Sequence, residues 1–316
     1  MVQLDCLIRL KYRSLGTSTF ILNVEPARTE QQQVLGDRLD ITGAVSTIES
    51  YEHPTATRFV KFQGAGDVVV TSRFSARLQH VMAAPHELPE LAPHEVPLEA
   101  LVYALPSRYC ESDKIMGFAR SQFGWRTPGY DRVQAIAEWV RENIAFRAGT
   151  TGWQTSAMDV LQSRQGVCRD FSHLMIAVCR ALNMPARFAT GIDYGADPAL
   201  GPVDFHAYVE VLLGDRWYLF DPTGISPTAG LLRLGTGRDA GDVSFATIFG
   251  NCTSWCPYLE VEAVNDPARR LSLPERHLLP ISTAAATTSP AIGHAIGSFD
   301  RRADVRRPMP NEAGRH

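Results

Sequence analysis

Gly166-Val167-Cys168-Arg169-Asp170-Phe171 opens a run in which Phe171, Leu174, Met175, Val178 and Leu182 recur at helical spacing, and Asn183 followed by Pro185 closes it. The spacing predicts a helix that begins at Cys168 and buries one face. A cysteine in the first turn of a helix lies beside unpaired backbone N–H groups and the positive end of the helix dipole. That setting favours the thiolate, the form in which cysteine is a nucleophile. Gly166 is expected to allow the sharp entry that aims such a side chain outward. The competing role for a cysteine is burial as a small apolar side chain. Cys179, amid Ala177, Val178 and Leu182 further down the same helix, fits that role.

Two later stretches suit a base and an orienting carboxylate. Phe205-His206-Ala207-Tyr208-Val209-Glu210-Val211 and Trp217-Tyr218-Leu219-Phe220-Asp221 both read as strands, and Gly214-Asp215 between them suits a two-residue turn. That register pairs Leu213 with Arg216 and therefore Tyr208 with Asp221. His206 then lies two residues along on the same face, a diagonal neighbour of Asp221. A four-residue loop keeps this parity, whereas a three-residue loop without a bulge places the two on opposite faces. The plainer alternative is a satisfied core histidine and a turn aspartate before Pro222. With the helix-borne cysteine added, Cys168, His206 and Asp221 are the candidate catalytic residues: nucleophile, base and orienter.

Composition bounds the setting. The 316 residues, 45% hydrophobic and 21% charged, are those of a globular protein with room for two domains. A formal net charge of -3 gives no reason to expect a nucleic acid or an anionic membrane as partner. No apolar run approaches the length of a membrane span. Met1 leads straight into a strand pattern, not a secretory leader, and the six cysteines have no framework spacing. The expected location is the cytoplasm.

Residues 1–82 are expected to form a β-rich domain of short strands over Leu4–Tyr12, Thr19–Val24, Arg58–Phe62 and Val68–Phe74, with Gly64-Ala65-Gly66-Asp67 as a hairpin connection. Val2, Leu4, Cys6, Ile8 and Leu10 alternate with mostly polar residues. Pro85, Pro89, Pro93 and Pro97 mark residues 83–97 as a linker. A catalytic domain over 98–281 follows. In it Ser112 is read as capping a helix towards Phe123, Val133 to Ile144 form a second helix, and Ser156-Ala157-Met158-Asp159 a capping box. Strands resume from Arg187 to Glu262. Residues 282–316, rich in Ala, Thr, Ser, Pro and Arg, are expected to be a disordered tail with solvated arginines. No internal repeat is evident.

Gly166-Val167-Cys168-Arg169-Asp170-Phe171, Asp204-Phe205-His206-Ala207 and Tyr218-Leu219-Phe220-Asp221-Pro222-Thr223 together resemble the bacterial transglutaminase-like superfamily. Leu105-Pro106-Ser107-Arg108-Tyr109-Cys110 and the β-rich N-terminal region add to the likeness, which covers roughly residues 1–265. The resemblance implies an α+β fold: a papain-like core, with the cysteine helix packed on an antiparallel sheet, preceded by a small all-β domain. It implies a cysteine protease, amidase or amide-forming acyltransferase, with Cys168 as nucleophile, His206 as base and Asp221 as its orienter. Protein cross-linking is not implied. Animal members are larger, bind calcium and carry Trp after the nucleophile, whereas here Arg169 follows and no calcium loop is seen.

Other features are weaker. The backbone N–H of Cys168 is the natural oxyanion donor, with Gln162, Trp153 and Gln154 as side-chain candidates. Cys252 and Cys256 offer two zinc ligands with no second pair to complete a site. His173 is five residues along the helix from Cys168, turned well away from it, and is read as partly exposed or satisfied locally. The expectation is a cysteine-dependent enzyme that needs no metal or cofactor and acts on a peptide or amide through a thioester. A peptidase or amidase leads. An amine acyltransferase and a non-catalytic interaction module on the same fold are the alternatives.

Overall fold

Strict alternation of apolar side chains makes the first part of the chain one long strand, because a period of two places every second residue on a single buried face. In the computed structural model, which describes residues 1–196 and 203–287, β1 runs from Val2 to Leu22 with Leu4, Ile8, Leu10, Phe20 and Leu22 in the core. β2 (Gln32–Ala44), β3 (Glu49–Glu52) and β4 (Arg58–Leu78) follow. β1 pairs antiparallel with β4 from Val2↔Leu78 to Leu22↔Val60, and the other edge of β4 takes β2 and β3. Phe20 and Phe62 stack at 5.0 Å between ring centres beneath this sheet.

Gly64-Ala65-Gly66-Asp67 is not a hairpin. It runs through β4, opposite Ser18, Thr17, Ser14 and Arg13. The register slips between Ser14 and Thr17, and Gly16 sits there with φ +96°. Glycine in mid-strand here marks a bulge and a close approach: a Cβ on Gly64 would lie 2.7 Å from Val68 Cγ2. The expected short runs are therefore halves of two long strands.

After β5 (Val81–Met82) the chain forms α1 (Leu98–Leu101), α2 (Met116–Phe123) and α3 (Tyr130–Asn143). The second helix starts three residues later than a Ser112 cap implies, and Ser112 is buried before it. β6 (Ala145–Phe146), α4 (Ala157–Ser163), β7 (Gln165–Gly166) and α5 (Cys168–Ala181) complete the helical half. The Ser156 N–H does donate to Asp159 at 2.9 Å, as the capping box requires. β8 (Ala186–Ile192), β9 (Phe205–Leu213), β10 (Arg216–Phe220) and β11 (Leu232–Gly237) make an antiparallel sheet ordered β10-β9-β8-β11. α5 packs on one face of it, against Ala207, Val209, Val211 and Leu213. Ile192, Leu232 and Leu234 join the core of the first sheet.

The chain then crosses back. Beyond α6 (Ala240–Val243), β12 (Ala246–Phe249), β13 (Cys252–Ser254) and β14 (Tyr258–Ala263) all pair with the free edge of β1. Residues 246–263, assigned by the sequence to the catalytic domain, thus belong to the N-terminal sheet. The proline-rich 83–97 segment is packed: Leu88 and Val96 are buried, Arg132 pairs with Glu90, and the Pro89 carbonyl accepts from Gly214 N–H at 3.0 Å. Residues 282–287, expected to belong to a disordered tail, are ordered. β15 (Ile281–Ser282) pairs with β5, and Thr287 N–H donates to the Asp215 carbonyl at 2.7 Å. Residues 288–316 lie outside the described residues. No described helix is long and apolar enough to cross a membrane.

Because β12–β14 pair, among the described residues, with β1 alone, and Leu232 and Leu234 need the first sheet as cover, a fragment of residues 98–281 is expected not to fold alone. Each exposed leucine forfeits about 1.5–3 kcal/mol. A thermal scan of that fragment by circular dichroism should show no cooperative transition. A sharp transition near that of the whole chain would restore the two-unit division.

Candidate active site

Gly166 and Asp170 set the start of α5. Val167 caps the helix in extended conformation, and its N–H donates to the Asp170 carboxylate at 2.9 Å. Asp170 is fully buried and also accepts from the Thr151 hydroxyl at 2.9 Å. Gly166 is needed for this contact, not for a left-handed turn: a Cβ there would lie 2.6 Å from Asp170 Cβ. Arg169 reaches outward and holds the Thr151 hydroxyl at 2.6 Å and the Gly152 carbonyl at 2.7 Å. The loop before Cys168 is thereby fastened to the helix that carries it. Cys168 follows at the first helical position, half-buried, and its N–H has no acceptor among the described residues. That free donor beside the thiol is what an oxyanion needs.

β9 and β10 bring up the other two groups. Their register is Leu213↔Arg216 to Val209↔Phe220, so Asp221 follows next to Tyr208 and reaches His206 diagonally. His206 Nε2 lies 3.2 Å from Asp221 Oδ1, and both side chains are buried. Nε2 makes no well-directed hydrogen bond, so this contact is chiefly a charge pair. Asp221 is held by its own turn: the Thr223 N–H and hydroxyl donate to Oδ1 at 3.0 and 2.6 Å, and the Ser226 N–H to Oδ2 at 3.3 Å. Burial opposes charging His206. Asp221 first and the adjacent Cys168 second outweigh it and hold the imidazole pKa well above the usual value. Burial likewise opposes charge on Asp221, but His206 and Thr223 hold its carboxyl below the usual range.

Three other cysteines are buried away from any such partner. Burial pushes the Cys110 thiol up to about 12 and raises Cys6 and Cys179 further. His173 is fully buried and is satisfied by a distant backbone group, so neither its reading as partly exposed nor as locally satisfied holds. It accepts from Ala240 N–H at 3.1 Å and stacks on Tyr109, and burial drives its pKa well below the usual value. Gln162 is exposed on α4, beside a shallow groove shared with Trp153 and Gln154 that Cys168 does not line. Cys252 sits in β13 opposite Ser14, and Cys256 is exposed. Among the described residues no group of three or more metal-ligating side chains converges. Asp170, Thr223 and Ser226 escaped the sequence reading. Thr223 could have been found, since Asp221-Pro222-Thr223-Gly224 has the form of an Asx turn.

A cysteine at the head of a buried helix, set against an antiparallel sheet whose neighbouring strands present a histidine and an aspartate, defines a papain-like α+β core. The profile of the transglutaminase-like superfamily matches residues 117–222, a span that holds Cys168, His206 and Asp221. A crystal structure of a candidate cysteine protease from Cytophaga hutchinsonii is 33% identical, superposes with a TM-score of 0.81, and is covered over 97% of its length by 89% of this chain. The chain belongs to the transglutaminase-like superfamily. An uncharacterized protein of Mycobacterium leprae (strain TN) is 34% identical over 117 residues, 35% of this chain and 42% of that protein. An uncharacterized protein of Mycobacterium tuberculosis (strain ATCC 25618 / H37Rv) is 29% identical over 143 residues, 42% of this chain and 46% of that protein. The chain therefore spans less than half the length of these curated relatives.

The electrostatics carry a sign that can be measured. A raised His206 pKa stabilises the fold fully below the unfolded value of about 6.5, and that contribution is lost as pH rises through the folded value. A lowered Asp221 pKa stabilises above about 3.9 and is lost as pH falls through the folded value. In a histidine NMR titration His206 should remain protonated above the pH at which a free imidazole has titrated. Asp221→Asn should move its midpoint down, and Cys168→Ala should do so by less. An unmoved midpoint in Asp221→Asn would remove Asp221 as the source of the shift.

Proposed function

We propose that the chain is a cysteine-dependent acyl-transfer enzyme that hydrolyses a peptide or amide bond through a Cys168 thioester. The observation that carries this reading is the placement of Cys168, half-buried with a free backbone N–H, beside the buried His206–Asp221 pair. In the proposed cycle the Cys168 thiolate attacks the amide carbonyl and a C–S bond forms. The displaced electron pair goes to the carbonyl oxygen, where the Cys168 N–H donates to it. Collapse breaks the C–N bond, and protonated His206 supplies the proton that the departing amine takes. Neutral His206 then draws a proton from water as the water oxygen attacks the thioester. Release of the acid returns the thiolate and the imidazolium. Asp221 fixes the ring orientation and favours its charged form. The likeness to the Cytophaga hutchinsonii protein, described as a candidate cysteine protease, supports the choice of reaction class.

Asp221→Asn is expected to fold normally and to lose turnover by ~10²-fold or more, mostly in kcat, as orienting aspartates of such triads do. Steady-state kinetics beside a thermal melt check this. Near-normal kcat in the folded variant would point to another partner for His206.

Water and an amine compete for the same thioester carbonyl, and alignment in the cleft decides between them. An activated acyl donor should give a mass increment on Cys168 that decays in buffer without added amine, and faster with amine. An adduct stable in water and discharged only by a primary amine would make the protein an amine acyltransferase. Folded protein that forms no adduct with a range of donors would instead be a non-catalytic module.

A further inference from the structure

The face of β9 that presents His206 carries, two pairs of residues further along, a second polar cluster about 13 Å away by strand geometry. Its centre is Glu210, fully buried, which accepts from Arg187 Nε at 2.8 Å and from Arg233 Nη1 at 3.0 Å. Arg187 comes from β8 and Arg233 from β11, so three neighbouring strands each contribute one charge. Two guanidinium groups thus share one carboxylate in a region where Arg233 is 1% and Arg187 8% exposed. One positive charge is left over. The Trp217 ring, 4.2 Å from the Arg187 guanidinium carbon, offsets part of it. Arg233 Nη2 donates to the Thr283 carbonyl, but its Nε has no partner. A buried cation left over after its one carboxylate is costly unless a second anion offsets it.

The cluster has room for one. Arg187 and Arg233 form part of the wall of a cavity of about 420 Å³, which Tyr103, Trp217, Ala100 and Ala284 also line. Tyr103 stands edge-on to Trp217 at 5.3 Å, making an aromatic wall beside the guanidinium floor. Glu30 and Glu99 lie at the exposed rim with Arg28, where water screens them, and Arg28 is already paired with Asp37. We propose that this cavity is a binding site for a small organic carboxylate with an apolar body, its carboxylate on Arg187 and Arg233 and its body against Trp217 and Tyr103. Guanidinium forks match a carboxylate in geometry, and a mainly apolar pocket with a few convergent polar groups is the usual form of a small-molecule site. The site is distinct from Cys168 and does not depend on the proposed reaction.

Isothermal titration calorimetry on the whole chain tests it, with N-acetyl-L-phenylalanine as the probe and its neutral amide and inorganic phosphate as comparisons. The acid is expected to bind one to one, and the amide and phosphate at least tenfold more weakly. Ala285→Trp, at the exposed mouth of the cavity, should weaken acid binding at least tenfold without lowering the melting temperature. Arg187→Gln should also weaken acid binding at least tenfold where it folds, with a lower melting temperature because it loses a Glu210 partner; if it does not fold, Ala285→Trp decides alone. Equal binding of acid and amide, binding of phosphate as tight as that of the acid, binding that survives Ala285→Trp, or no binding would each overturn the proposal.

Discussion

The architecture depends on burying α5 almost entirely while leaving its first residue open. Every residue from Asp170 to Ala181 is buried, so the helix must be covered on all sides by α2, α3, α4 and the β8–β11 sheet. A helix buried all round gains stability from each of those contacts, but its polar side chains and N-terminal amides then need partners or a functional reason to lack them. Asp170 supplies a partner for Val167. The N–H of Cys168 is left without one, at the point where the half-exposed thiol meets His206. Close packing behind the thiol and openness in front of it are two sides of the same arrangement.

The second constraint is electrostatic. His206, Asp221, Glu210, Arg187 and Arg233 bring charge into the protein interior on three adjacent strands and the turn after a fourth. Bringing such groups out of water costs several kcal/mol per ion unless partners are fixed in place. The sheet fixes them through register: Arg187 is directly opposite Glu210, and Gly191 directly opposite His206. The N-terminal sheet closes the outer face, with Gln32 bonding both the N–H and the carbonyl of Arg233. The first sheet is thus part of what keeps the charged layer dry. The two halves cannot be treated as beads on a string, and the chain crosses back at residue 246 to complete the same sheet.

Much of the local structure was legible in the sequence because it rests on short-range rules. Helical spacing from Phe171 to Leu182 places α5, and its start at Cys168 follows from the residues before it. Gly214-Asp215 sets the β9–β10 turn, and from that turn alone the diagonal relation of His206 to Asp221 follows. Gly64 to Asp67 misled for a physical reason. Glycine marks both tight turns and mid-strand bulges, and only the partner strand tells them apart. The prolines of 83–97 misled in a similar way, since they disfavour long regular elements but do not forbid packing.

The sequence by itself determined the main helices and strands around the site, the candidate trio Cys168, His206 and Asp221, and the family, because periodicity, turn chemistry and motif spacing are local properties of the chain. Only the tertiary structure decided that β12–β14 return to β1, that Gly166 serves Asp170, and that Arg187, Glu210 and Arg233 meet beside a cavity. Those facts depend on strand order and on contacts between residues far apart in sequence. No window of the chain holds them, since each partner's side of the contact is written in a different element.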